Sequence, residues 1–192
     1  MENGPEVGLD MGFAALRAVV GEGLCEVAEN EKAILAGGML TRVFSKEGGG
    51  DLDFFFTMKE HADNFVKSVW GEYKYRIAGT IPGHGYAAVL TKEGEPNIHV
   101  IQDPCYPNAR SVIDSFDFSV CMAAYDFGKG EFTLGDAFLQ DARNREFTIL
   151  KPYLLCPIRH LIRITKYLNR GYRLLNPEIL ETYKKKEKEM IL

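Results

Sequence analysis

The chain opens with apolar residues at helical spacing. In residues 11–29, "MGFAALRAVVGEGLCEVAE", the placement of Phe13, Leu16, Val19 or Val20, and Leu24 predicts an amphipathic helix whose second half is weakened by Gly21 and Gly23. "AILAGG" then reads as a short buried strand ending in glycines, "MLTRVFSKE" as a short helix, "GGG" at 48–50 as a turn, and "DLDFFFT" as a strand. Residues 59–70 suit another helix. "YKYRIAG", "YAAVLTK" and "NIHVIQD" follow as strand candidates, separated by the loop chemistry of "TIPGHG" and "EGEPN". Beyond "FDFSVCMAAYD" the pattern turns helical, in "LGDAFLQDARNREF", in "CPIRHLIRITKYLNRGYRL" and in "NPEILETYKKKEKEMIL", where Asn176 stands as a cap and Pro177 at the first helical position. These periods predict an α+β chain: a mixed sheet flanked by helices over residues 1–130, then a small helical segment over 131–192. No internal repeat is visible.

Size and composition narrow the class. The 192 residues are enough for one ordinary domain, or for a compact head with a helical appendix, and 46% hydrophobic with 26% charged residues is a globular balance. No apolar run reaches the length of about 20 residues that a membrane span requires, and the N-terminal sequence lacks a signal-peptide pattern, so a cytoplasmic protein with no membrane partner is expected. The net charge of −4 argues against a surface built mainly to hold nucleic acid. Cys25, Cys105, Cys121 and Cys156 have no paired metal spacing; no zinc is expected, and all four read as reduced core residues.

Chemistry concentrates in the strand that begins at Asp51. Residues i and i+2 of a strand share a face about 7 Å apart, so Asp51 and Asp53 lie together while Leu52, Phe54 and Phe56 take the other side. Two ionised carboxylates that close call for a cation. Mg²⁺ (or Mn²⁺) suits them, because it accepts a few carboxylate oxygens and completes its shell with substrate phosphates. Upstream, Gly37 and Gly38 have no side chain to keep a phosphate from the backbone N–H groups that start the "MLTRVF" helix. Thr41 and Arg42 add a hydroxyl and a cation. The strand, Gly-Gly, short helix, turn and Asp-x-Asp together point to nucleotide chemistry.

"AGGMLTRVFSKEGGGDLDFFF" resembles the signature of the polymerase-beta-like nucleotidyltransferase superfamily, and looks closest to the branch of class II CCA-adding tRNA nucleotidyltransferases and bacterial poly(A) polymerases. That branch runs Gly-Gly-x-Val-Arg-Asp, then Asp-x-Asp. "SFDFSVCMAAYD" is similar to its Arg-Arg-Asp-Phe-Thr-Ile-Asn-Ala segment through Asp117, Phe118 and Ser119, and the neck segments are matched by Asp136, Pro157 and Arg159. The resemblance spans roughly residues 33–175. It implies a nucleotidyltransferase-like head at 1–130 with a helical neck at 131–192, Mg²⁺ on Asp51 and Asp53, a triphosphate on Gly37 and Gly38, and Asp117 where head meets neck. There are departures: Thr41 and Arg42 stand at the branch's Arg-Asp, Ser115 and Phe116 replace its Arg-Arg, and its later Glu-Asp-x-x-Arg is missing. They argue against full tRNA end repair.

For a third catalytic group the strand "NIHVIQD" offers His99 and Asp103, and the residues do not choose between them. Arg159, Arg163, Lys166 and Arg170 recur at helical spacing as a basic stripe able to steer a triphosphate or RNA, with Ile158, Leu161, Ile162 and Leu168 as the packed side. His84 sits in the glycine loop "PGHGY". The sequence thus leads to a metal-dependent nucleotidyltransferase that moves a nucleoside monophosphate from an NTP to a hydroxyl of RNA, protein or a small molecule. Asp51 and Asp53 are its catalytic and metal residues, and Gly37, Gly38, Thr41, Arg42, Asp117, Arg159 and Arg163 its nucleotide contacts. A catalytically inactive nucleotide- or RNA-binding protein of the same fold is the alternative.

Overall fold

A computed structural model describes residues 5–80, 86–152 and 157–191. Helices α1 (Pro5–Val20) and α2 (Glu22–Asn30) lead into β1 (Ile34–Ala36), α3 (Gly38–Ser45), β2 (Leu52–Phe55) and α4 (Lys59–Glu72). Next come β3 (Arg76–Thr80), β4 (Tyr86–Thr91), β5 (Ile98–Asp103), α5 (Ala109–Asp114), β6 (Ala123–Asp126) and β7 (Glu131–Leu134). The chain finishes with α6 (Phe138–Asn144), β8 (Glu146–Phe147), α7 (Pro157–Asn169), β9 (Arg173–Leu174) and α8 (Leu180–Ile191). Seven strands form one sheet in the order β3-β4-β5-β2-β1-β6-β7. Within it β2 and β5 run parallel and the other pairs antiparallel, so the sheet is mixed and flanked by helices as the periods predict.

The alternation in "DLDFFF" fixes how the sheet is covered. Leu52 and Phe54 point into the main core with Ala62, Phe65 and Val69 of α4 and Leu16, Leu24 and Cys25 of the opening helices. Phe55 enters a smaller core on the other face with Ile34, Ala36, Ile101 and the α5 residues Val112 and Ile113. It packs on Tyr106 and Phe116 rather than opening to a ligand. A third cluster, including Phe118, Phe147, Ile164, Tyr167 and Tyr183, joins the C-terminal helices to the head.

Several local expectations are revised. The opening helix breaks at Gly21, whose φ of +85° is a conformation that glycine adopts cheaply. "LGDAFLQDARNREF" is helical only over Phe138–Asn144, because Leu134 belongs to β7 and Glu146–Phe147 pairs with β9. Strand β7, just past residue 130, is hydrogen-bonded to β6 within the main sheet. On α7 the packed side is not Ile158, Leu161, Ile162 and Leu168: Ile158 and Ile162 are 67% and 63% exposed, while His160, Ile164 and Tyr167, at i, i+4 and i+7, face inward. Aromatic bulk wins that face, since Tyr167 meets Phe118, Phe147 and Tyr172. Cys25 and Cys121 are buried free thiols, whereas Cys105 is exposed rather than in the core; Cys156 and His84 lie outside the described residues. No helix among the described residues is long and apolar enough to cross a membrane.

Asn176 does not cap a helix with its side chain. Its carbonyl oxygen accepts from the Ile149 N–H and its amide donates to the Ile149 carbonyl, both at 3.0 Å, closing a bridge that a backbone strand would otherwise make. Replacing it leaves two part-buried peptide groups without partners. Asn176→Ala should therefore lower unfolding free energy by about 1–3 kcal/mol, read as a lower urea midpoint with an unchanged denaturant slope.

Candidate active site

The short antiparallel pairing of β1 with β2 places Ala36 opposite Asp53, so the turn that ends β1 lies against the carboxylate that β2 presents. Gly37 has φ +90°, and a Cβ built there would sit 3.5 Å from Asp53 Oδ2 and 3.7 Å from the Phe116 ring. Those distances are ordinary contact, so it is the backbone conformation, more than space, that requires this glycine. Its N–H donates to the Ala123 carbonyl at 3.1 Å, which pins the turn to β6; in α3, which begins at the next residue, the Leu40 N–H turns back to the Gly37 carbonyl at 3.0 Å, and the N–H groups of Gly38 and Met39 ahead of it have no intrahelical acceptor.

These elements form one wall of a cleft open to solvent, with an empty volume of about 610 Å³ including its mouth. Gly38, Met39 and Arg42 contribute from α3, Gly50, Asp51 and Asp53 from the turn before β2 and β2 itself, Cys121 from the segment before β6, and Arg163, Lys166, Tyr167 and Arg170 from α7 and the residue after it. Each acid is met by a nitrogen donor from the β5 side. Asn97 Nδ2 is 3.2 Å from Asp51 Oδ1, and His99 Nδ1 is 2.7 Å from Asp53 Oδ1. That bond to Asp53 raises the His99 pKa above its ordinary value against the opposing effect of burial. His99 is in register with Asp53 on the parallel β5 strand, so it is the β5 residue next to the acids, whereas Asp103 is exposed at the far end of that strand.

The other sequence candidates divide. Arg42 wraps the 48–50 turn, donating to the Gly48 carbonyl with its stem against Gly50, and reaches the cleft. Thr41 does not: it is fully buried, and its hydroxyl donates to the Val120 carbonyl at 2.6 Å, which ties α3 to the segment before β6. Asp117 pairs with Arg163 and lies 2.9 Å from His160 Nε2; it reaches the cleft only through Arg163. Arg163 also stacks over the Phe118 ring at 4.8 Å. Arg159 is exposed on α7 and is not among the residues that line the cleft. Asp136 is exposed too, and the buried acid of that segment is Asp141, which accepts from the Ser119 hydroxyl.

Lys166 and Arg170, named in the basic stripe but not among the nucleotide contacts, line the cleft beside Arg163, at the i, i+3, i+7 spacing that marked the stripe; Met39, Gly50, Cys121 and Tyr167 line it without a signal in the sequence. Arg170 is committed. It bonds Glu47 Oε2 at 2.5 and 3.1 Å and lies between the rings of Tyr167 and Tyr172, 5.2 and 5.1 Å away. Burial opposes ionisation of Glu47, but Arg170 holds its carboxyl below the ordinary range. Lys166 makes no ion pair or hydrogen bond among the described residues, which leaves its ammonium available to the cleft.

Two carboxylates on one cleft wall beside a glycine turn are a donor set that suits a hard divalent cation with phosphate ligands. Asp51 and Asp53 would hold it. Among the described residues no three His, Cys, Asp or Glu side chains converge into a ready cage.

The fold is that of the nucleotidyltransferases. A tRNA nucleotidyltransferase complexed with a primer tRNA and an incoming ATP analog matches with a TM-score of 0.59 and 16% identity, over 88% of this chain and 51% of that one. A CCA-adding enzyme with CTP matches at 0.60 and 12%, over 97% and 44%. The Thermotoga maritima CCA-adding enzyme complexed with tRNA matches at 0.59 and 13%, over 94% and 42%. By sequence the chain belongs to the Gabija anti-defense 2 family, whose profile matches residues 13–145. Gabija anti-defense 2 of Bacillus phage SPbetaL7 is 32% identical over 167 residues, covering 86% of this chain. The chain spans 40% of the length of that relative.

The Asp117 cluster yields a pH test. Burial pushes the Asp117 carboxyl up, but the His160 hydrogen bond and the Arg163 charge outweigh it and hold its pKa below the ordinary value. A carboxyl depressed on folding stabilises the fold above its unfolded pKa of about 3.9, and that gain disappears as pH falls through the folded value. Asp117→Asn should cost about 3 kcal/mol at pH 7, with the wild type and variant converging in urea unfolding performed below the folded pKa.

Proposed function

We propose that this chain carries a metal-dependent nucleotidyltransferase site that transfers a nucleoside monophosphate from an NTP to an acceptor hydroxyl, releasing pyrophosphate. The observation that carries the reading is the packing of the Asp53 carboxylate against the Gly37 turn at the start of α3, with Asp51 on the same cleft wall. Asp51 and Asp53 would hold Mg²⁺ or Mn²⁺, which would supply charge neutralisation at the phosphate oxygens. The Gly37–Gly38 backbone and the first N–H groups of α3 seat the phosphates. Arg42 and Lys166 add positive charge from either side of the cleft, and Arg163, held by Asp117, borders it. The acceptor hydroxyl, on RNA, a protein or a small molecule, attacks the α-phosphorus and the bond to pyrophosphate breaks.

The family's name places its members against the Gabija defence, so a nucleotidyl group added to a component of that system is the outcome this reading favours. A second reading rests on a specific observation. The β5 residue in register with Asp53 is His99, already paired with that acid, so the cleft can serve a chain that binds nucleotide without turnover.

Incubation with labelled NTPs, Mg²⁺ or Mn²⁺ and candidate acceptors separates the two readings. Transfer should fall at least about a hundredfold in Asp51→Asn and Asp53→Asn, the equivalent of several kcal/mol of lost charge stabilisation. Undiminished transfer in both variants would overturn the assignment, and tight NTP binding without transfer selects the second reading. Gly37→Ala, which forces a side chain into φ +90° beside Asp53, should weaken NTP binding at least about tenfold while leaving the fold intact by circular dichroism.

A further inference from the structure

The number of carboxylates limits how many cations this cleft can hold. Asp51 has its Oδ1 on the Asn97 amide, and Asp53 has its Oδ1 on the His99 ring. Each acid therefore keeps one oxygen free of these bonds, and for Asp53 that oxygen, Oδ2, is the one beside the Gly37 turn. Asn97 immediately precedes β5 and His99 lies on it in register with Asp53, so the neighbouring strand meets the acids with an amide and an imidazole. Neither adds negative charge, whatever proton the imidazole carries.

A pair of divalent ions about 4 Å apart brings a formal charge of +4 that the acids must help to balance. One ion needs only one or two, with phosphate oxygens and water completing an octahedral shell. Two carboxylates, with no third acid converging on them among the described residues and a cleft otherwise edged by Arg42, Arg163, Lys166 and Arg170, meet the second demand and fall short of the first.

We propose that the cleft holds a single divalent cation, shared between the Asp51/Asp53 pair and the phosphates of the bound nucleotide, and that His99 sets this number by occupying the place from which a third carboxylate would recruit a second ion. This rests on the nucleotide-binding reading above. His99 acts as a positioning residue: it fixes Asp53 so that Oδ2 faces the glycine turn.

Equilibrium dialysis of the chain against Mn²⁺ and a non-hydrolysable NTP analogue, with both counted in the same sample, tests the proposal without any turnover. The wild type should retain one Mn²⁺ per bound nucleotide per chain, and Asp53→Asn should lose most of that Mn²⁺. His99→Asp, which adds a carboxylate at the in-register position, should raise the count to two, while His99→Asn should keep it at one; thermal melts confirm that each variant is folded. Two Mn²⁺ in the wild type, or one in a folded His99→Asp, overturns the single-ion proposal while leaving the nucleotide site standing. Failure of the wild type to retain either Mn²⁺ or nucleotide overturns both. A destabilised His99→Asp leaves the wild-type count to decide.

Discussion

The register between β1 and β2 governs everything else in the cleft. Because strand side chains alternate, a slip of one residue would turn Asp53 into the core now filled by Leu52 and Phe54 and swing Phe54 out toward the glycine turn. Burying an unpaired carboxylate among Phe65, Val69 and Leu24 would be far more costly than losing a ladder bond. The hydrophobic alternation in β2 thereby fixes the position of the acid, and the Gly37 N–H, held by Ala123 on the next strand, fixes the turn against it.

The facing wall is built by different means. Helix α7 presents its basic side chains because its aromatic and imidazole side chains anchor the opposite stripe. Tyr167 shares a contact with Cys121 at 2.9 Å and packs on Phe118 and Phe147, and His160 stacks on Phe118 with Tyr183 at its other nitrogen. Glu47 then reaches from just beyond α3 to Arg170, so that one ion pair, flanked by two tyrosine rings, clamps the two walls together. A part-buried pair of this kind adds little net stability but disfavours geometries that break it. It defines the spacing of the cleft.

The sheet and the acidic wall were legible in the sequence because both rest on local rules: period-two alternation around Asp51 and Asp53, and glycines where the backbone must turn tightly. The mixed sheet flanked by helices, the turn at Gly37, and the place of Gly38 and Arg42 on the cleft side follow from those rules. What local rules could not supply is long-range partnership. Thr41 has a helical position facing either way, and only the Val120 carbonyl, far along the chain, claims its hydroxyl. The apolar residues Ile158 and Ile162 read as a packed stripe by hydropathy alone, yet the partners available to α7 are aromatic, and ring packing rotated the helix to bring His160 and Tyr167 inward. His99 was named among the third-group candidates, but its pairing with Asp53 depends on a parallel neighbour that strand periodicity does not specify.

Accounting for each charge in the cleft shows what kind of guest it can admit. Arg163 is balanced by Asp117, Arg170 by Glu47 and Asp53 in part by His99, so these groups have little charge left to offer. Asp51 has only an amide neighbour, Arg42 only the Gly48 carbonyl, and Lys166 no partner among the described residues. On the proposed reading, a guest that carries a divalent cation on one flank and phosphate oxygens on the other satisfies both signs of charge. A neutral small molecule would satisfy neither, and bare polyanionic RNA would meet Lys166 while repelling the acids. The pairing pattern, more than the net charge of the chain, favours a metal-bound triphosphate as the first ligand and leaves the acceptor to approach from the open mouth.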